Sequence, residues 1–183
     1  METTEKIVEA YCRYVKRFFT LPNIKCDGQL EIDLLAIDIA GREVPERYHI
    51  ETSISISTGF SKLTAKPFSV EQLRQRVQQA GQRRTIDYFV ERKFGSPTVA
   101  ARLEEYGFRP GNYQKVIVTW GWTVDAEARA SSEGILLWDF RRMMKEIAAL
   151  TSTGRIYFTD DTLRTLQLFE KAVHDLGRAG RDA

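Results

Sequence analysis

Two short apolar runs constrain the fold most: Lys-Val-Ile-Val-Thr-Trp at 115–120 and Ile-Leu-Leu-Trp at 135–138. Neither alternates between polar and apolar positions, as a strand with one wet face would. Each therefore reads as a strand covered on both sides. Between them, residues 125–130 suit a short helical crossover that ends at Gly134. Strands covered on both sides need layers of helix, so an α/β arrangement is expected. The 183 residues suffice for one such domain, placed here at 1–176 with a frayed tail at 177–183.

The remaining segments fit around that pair. Ile7, Tyr11, Val15 and Phe18 recur at helical spacing, so a helix is expected over residues 3–20, ended by Pro22. Residues 29–39 and 48–57 alternate and are joined by a short turn-rich connection, which predicts an antiparallel pair. A long polar helix is expected over 70–94, interrupted near Gly81, and a shorter one over 98–106. Asp139 can cap a helix over 140–150, and a last helix covers 161–176. The expectation is a mixed central sheet flanked by helices.

The first strand pair carries the chemistry. Glu31 and Asp33 share one face of the first strand, while His49, Glu51 and Ser53 share a face of the second. Carboxylates gathered there repel, and one would hold its proton unless a cation intervened. A hard divalent cation such as Mg²⁺ takes oxygen ligands and lowers the pKa of a bound water, which suits phosphodiester hydrolysis. A merely solvated face is the competing interpretation. Against it, Leu35 and Ile37 continue the face of Asp33, so the acidic residues occupy one end of an otherwise apolar surface.

The sequence Gln-Leu-Glu-Ile-Asp-Leu-Leu-Ala at 29–36, a turn, and Tyr-His-Ile-Glu-Thr-Ser at 48–53 resemble the core of the PD-(D/E)XK nuclease superfamily. That superfamily includes restriction-endonuclease-like proteins and Holliday-junction resolvases. The motif covers residues 29–53, and the element order extends the resemblance from about 3 to 138. It implies a restriction-endonuclease-like fold, with Asp33 and Glu51 holding Mg²⁺ or Mn²⁺ and the carbonyl of Thr52 as a further ligand. It makes Glu31 an outer partner. Some members add a glutamate from the first helix, but Glu5 and Glu9 read as solvent-facing, Glu9 especially.

Where the superfamily has its catalytic lysine, this chain has Ser53. A hydroxyl carries no positive charge and cannot replace that lysine's electrostatic stabilisation. Three alternatives stay open: Lys62 or Lys66 reaches in from the following loop, His49 takes part of the role, or the fold persists without activity. The resemblance therefore implies a metal-dependent nuclease, or a nuclease-like fold retained as a nucleic-acid- or protein-binding module.

Charge locates a surface for the substrate. The whole chain carries a formal charge of only +2. The segment 70–94 concentrates Arg74, Arg76, Arg83, Arg84, Arg92 and Lys93, interleaved with glutamines. Such a face suits a phosphate backbone, so nucleic acid, DNA in particular, is the expected partner. A homodimer is compatible with the resemblance. Cys12 and Cys26 have no metal-ligand spacing and read as buried thiols of a cytoplasmic protein. No run of apolar residues reaches membrane-spanning length.

Overall fold

A computed structural model of the chain describes residues 2–41, 43–54, 62–74, 83–152 and 158–179. Five strands form one mixed sheet in the order β1-β2-β3-β4-β5. These are β1 (Phe19–Lys25), β2 (Glu31–Asp38), β3 (Glu46–Ser53), β4 (Gln114–Thr119) and β5 (Ile135–Asp139). β1 to β3 pair antiparallel, with Lys25 opposite Glu31 and Leu34 opposite Ile50. β3, β4 and β5 run parallel, which places Ser53, Thr119 and Asp139 side by side at their C-terminal ends.

Helices cover both faces. They are α1 (Thr3–Ala10), α2 (Val70–Arg74), α3 (Ile86–Tyr88), α4 (Pro97–Glu105), α5 (Val124–Ser132), α6 (Phe140–Ser152) and α7 (Asp161–Ala179). α1 and α3 continue as π-helical turns over Tyr11–Val15 and Phe89–Phe94. Asp139 accepts a hydrogen bond from the Arg141 backbone N–H at 2.9 Å, as expected of a residue capping α6. No helix among the described residues is long and apolar enough to cross a membrane.

The two faces differ. On one, Leu34, Ala36, Ile50, Val116 and Val118 pack under α1 and α6 in a continuous apolar core. On the other, the core is split. Ile117 and Ile135 pack with Ile86, Phe89, Phe94 and α5, whereas Leu35 packs with Val99 and Leu103 of α4. β3 runs between these clusters and presents His49, Glu51 and Ser53, all buried.

The amino-terminal segment departs from expectation. The helix does not reach residue 20. The chain reverses through Arg17, whose φ is 63°, and Phe19–Lys25 becomes an edge strand. Pro22 is compatible with that position because an edge strand has one side without ladder bonds. Phe19 and Leu21 point outward and are exposed, so the helical spacing of Val15 and Phe18 hides the alternation. Of the long helix expected over 70–94, Val70–Arg74 and Ile86–Phe94 are helical, with a turn at 83–84. Residues 75–82, Arg76 among them, lie outside the described residues. α7 continues past the expected end of the domain to Ala179.

The π-helical turn after α3 ends at Gly95, where a Cβ would lie 2.5 Å from the Val90 carbonyl oxygen. Backbone cannot yield as a flexible side chain can. Gly95→Ala is expected to lower stability by about 1–3 kcal/mol. Urea denaturation would show this as a lower midpoint; an unchanged midpoint would mean the turn relaxes freely.

Candidate active site

The β2–β3 ladder extends to Leu34 and Ile50, so Asp33 and Glu51 are the next residues in register. Here a side chain takes over the strand pairing. Asp33 Oδ2 accepts from the Thr52 backbone N–H at 2.7 Å and from the Thr52 hydroxyl at 2.9 Å. Glu51, wholly buried, meets His49 Nε2 through Oε1 at 2.7 Å. Its Oε2 lies 2.5 Å from Lys93 Nζ.

Lys93 is the residue that joins these groups. Its ammonium is also 3.2 Å from Asp33 Oδ1 and donates to the Glu31 carbonyl at 2.8 Å. Two of its three N–H groups thus have acceptors, while Glu51 Oε2 is held by the ion pair alone, without hydrogen-bond geometry. Burial alone would lower the pKa of Lys93, but Glu51 and Asp33 outweigh it and hold the group protonated, above its ordinary value. Burial raises both carboxyls, and for Asp33 the neighbouring Glu51 raises it further; Lys93 opposes both shifts. His49 is lowered to about 3, first by burial and then by Lys93. It is therefore neutral, and its Nε2–H donates to Glu51. Its Nδ1 and the Ser53 hydroxyl oxygen are buried without a hydrogen-bond partner.

Charge at the positions aligned with the nuclease motif thus comes from an unexpected place. Ser53 lies on the same face as Glu51 and brings no cation. Lys62 and Lys66 are exposed and form no ion pair with Asp33 or Glu51. The cation comes from Lys93, a member of the basic segment expected to face the substrate. One signal for this is present in the sequence. Lys93 lies four residues after Phe89 and seven after Ile86, on the buried stripe of its helix rather than the wet face.

The carboxylates extend beyond this pair. Glu5, at the start of α1, brings an oxygen within 4.8 Å of oxygens from Glu31 and Asp33. The expectation of a solvent-facing Glu5 is corrected: the start of α1 carries it, half-buried, to the end of β2. Its pKa is raised, mainly by burial, with Asp33 and Glu31 adding to the shift. Glu31 is held below the usual range by a hydrogen bond from Lys25. Glu9, also expected to face solvent, is half-buried as well, apart from this cluster, and accepts from the Thr20 hydroxyl at 3.2 Å.

An all-oxygen donor set suits a hard cation. Mg–O distances of about 2.0–2.1 Å put opposite ligands roughly 4 Å apart, and the oxygens of Glu5, Glu31 and Asp33, within 4.8 Å of one another, approach that spacing. The grouping differs from the expected one. Glu51 is engaged by His49 and Lys93, and Thr52 meets Asp33 through its N–H and hydroxyl. Among the expected nucleic-acid contacts, Arg74 and Arg83 are exposed and Arg84 is half-buried.

These features define an α/β protein with a five-stranded mixed sheet and a buried lysine–carboxylate centre beside a carboxylate cluster. No family model matches the chain, and no curated protein does. Among solved structures, the chain is similar to a crystal structure titled a protein of unknown function, AF1548. The two are 16% identical, with 94% of this chain and 98% of that one covered, at a TM-score of 0.44.

Removing the cation tests this electrostatic arrangement. Raised carboxyl pKa values mean that the folded state binds more protons than the unfolded one above about pH 4. Stability from these groups therefore falls as pH rises through their folded values. Lys93→Met leaves both carboxylates uncompensated once they ionise. The expected loss is about 3–5 kcal/mol at pH 8 and clearly less at pH 5, measured by urea unfolding. An equal loss at both pH values would show that Lys93 acts by packing rather than charge.

Proposed function

We propose that this protein is a metal-dependent phosphodiesterase of the PD-(D/E)XK type, acting on nucleic acid and on DNA in particular. The observation that carries the proposal is the position of Lys93 Nζ, between Asp33 Oδ1 and Glu51 Oε2. The superfamily places a lysine after its second carboxylate; here a different element brings an ammonium to that pair. The alternative of an inactive binding module draws its force from Ser53, and Lys93 supplies the charge that Ser53 lacks.

In this reading, Glu5, Glu31 and Asp33 hold Mg²⁺ or Mn²⁺, with Glu51 alongside. The ion would polarise the phosphate and acidify a water. Asp33 is held by two donors from Thr52, so its Oδ2 is oriented before any ligand arrives. Neutral His49 fixes Glu51 through Oε1. Lys93 orients the attacking water or meets negative charge as it develops on the phosphate. Ser53 is buried with a spare hydroxyl on the same strand face as Glu51.

Purified protein with Mg²⁺ or Mn²⁺ is expected to cut single-stranded, duplex or branched DNA. Asp33→Asn should abolish the cut, and Lys93→Ala should slow it by about 10²–10³-fold, the scale of losing one preorganised charge-stabilising group. Absence of cleavage on every substrate, with no heat of metal binding, would overturn the proposal. Replacing exposed Arg74 and Arg83 by Gln is expected to shrink the slope of log affinity against log salt by roughly two, about 0.9 for each phosphate no longer neutralised. An unaltered slope would remove that surface from the binding path.

A further inference from the structure

The C-terminal end of β5 carries a second feature that hydrolysis does not use. A cavity of about 330 Å³ opens there, with walls that include Trp122, Trp138, Lys16, Arg142, Asp139 and Glu146. That volume is at the lower end of small-ligand sites. Trp138 is held edge-on by Tyr11, with ring centres 6.4 Å apart. Trp122 is half-buried, packs on one side against the apolar cluster of Leu63 and Ile86, and with its remaining surface lines the cavity.

The charges select the class of ligand. Two carboxylates and two cations line the cavity, so its interior has no positive surplus to attract a phosphate. Glu146 accepts from Tyr11 Oη and Arg142 Nε, both at 3.1 Å, and Asp139 accepts from the Arg141 guanidinium at 2.7 and 2.9 Å. These carboxylates are held in place. With about four lone-pair positions, Glu146 retains acceptor capacity for further N–H donors, whereas Asp139 is filled by Arg141 and the Arg142 backbone. A flat neutral ring carrying N–H groups matches such a space: aromatic face to Trp122, donor edge to Glu146.

The position links this cavity to the proposed active site. Ser53, Thr119 and Asp139 are successive neighbours across β3, β4 and β5. At about 4.8 Å per strand, the Asp139 backbone at the cavity wall lies roughly 10 Å from that of Ser53. That corresponds to about three nucleotide rises of 3.4 Å along one strand of a duplex. Two residues past Thr119, Lys62 and Arg141 flank Gly121: a Cβ there would lie 3.8 Å from Arg141 Nη2 and 3.8 Å from Lys62 Cγ.

We propose that this cavity receives one unpaired nucleobase of the substrate, so that the protein selects nucleic acid with an extrahelical or unstacked nucleotide near the cut. The inference rests on the nucleic-acid reading above and adds the class of substrate. A base within a duplex cannot turn its hydrogen-bonding edge to the cavity without leaving the stack.

Binding, measured without cleavage, separates the two claims. Fluorescence anisotropy in EDTA would compare three labelled duplexes: fully paired, carrying one extrahelical guanine, and carrying an abasic residue in its place. Guanine offers N–H donors on its exposed edge. The wild-type protein is expected to bind the guanine bulge roughly tenfold or more tightly than the other two, the scale of one base–aromatic stack. Trp122→Leu should erase that preference and Trp122→Phe should keep most of it. If Trp122→Leu does not fold, the wild-type contrast between guanine and abasic duplexes decides alone. Equal binding of all three would overturn this inference while leaving the cleavage reading intact. No binding to any of them would also overturn it, and the cleavage assay with Asp33→Asn would then judge the nuclease reading separately.

Discussion

An ammonium buried among three acceptors holds the centre of this structure together. Lys93 belongs to the π-helical turn after α3, Glu51 to β3, and Asp33 and the Glu31 carbonyl to β2. Leaving any of these charges buried and unpaired would cost several kcal/mol, so three elements distant in sequence are bound to one geometry. Helix and sheet here are joined by charge as well as by the apolar packing of Ile86, Phe89 and Phe94. The lysine is correspondingly short of freedom, with two N–H groups committed to β2 and its charge paired with Glu51.

This junction also accounts for the uneven sheet. The face beneath α1 and α6 is apolar throughout, as a strand layer covered by helices should be. The opposite face is interrupted along β3, where His49, Glu51 and Ser53 replace the aliphatic side chains that packing alone would favour. Such a column is tolerable because each charged member has a partner: Glu51 has Lys93 and His49, and Asp33 has Thr52 and Lys93. Three buried atoms lack a hydrogen-bond partner: His49 Nδ1, Ser53 Oγ and Glu51 Oε2, the last held only by its ion pair with Lys93. All three belong to the column that faces the proposed reaction. The carboxylate centre and the tryptophan cavity lie toward the C-terminal ends of parallel strands, where helix-covered sheets commonly open a crevice for ligands.

Much of the architecture is legible in the sequence because its signals are local. The apolar runs of β4 and β5, the alternation of β2 and β3, and the cap at Asp139 each express a preference of a few neighbouring residues. The alternation also puts Glu31 and Asp33 of β2 and His49 and Glu51 of β3 on one shared face. β1 escapes such a reading because Phe18 and Phe19 continue a helical spacing and Pro22 argues against a strand until the strand is known to be an edge. Lys93 reads as part of a wet, arginine-rich helix, although its spacing from Ile86 and Phe89 places it on the buried side.

From the chain's residue pattern alone it follows that an α/β layer structure forms and that acidic side chains gather on one face of two adjacent strands, because backbone periodicity decides which side chains share a surface. Which cation meets them does not follow. Lys62, Lys66 and Lys93 are chemically equivalent along the chain, and only the packing of the π-helical turn against β2 and β3 brings one of them within ion-pair distance. The same holds for Glu5, whose helix position is ordinary until α1 is set at the end of β2. Which groups meet across a fold depends on how its elements pack, and pairwise distances between remote residues exist only after that packing is made.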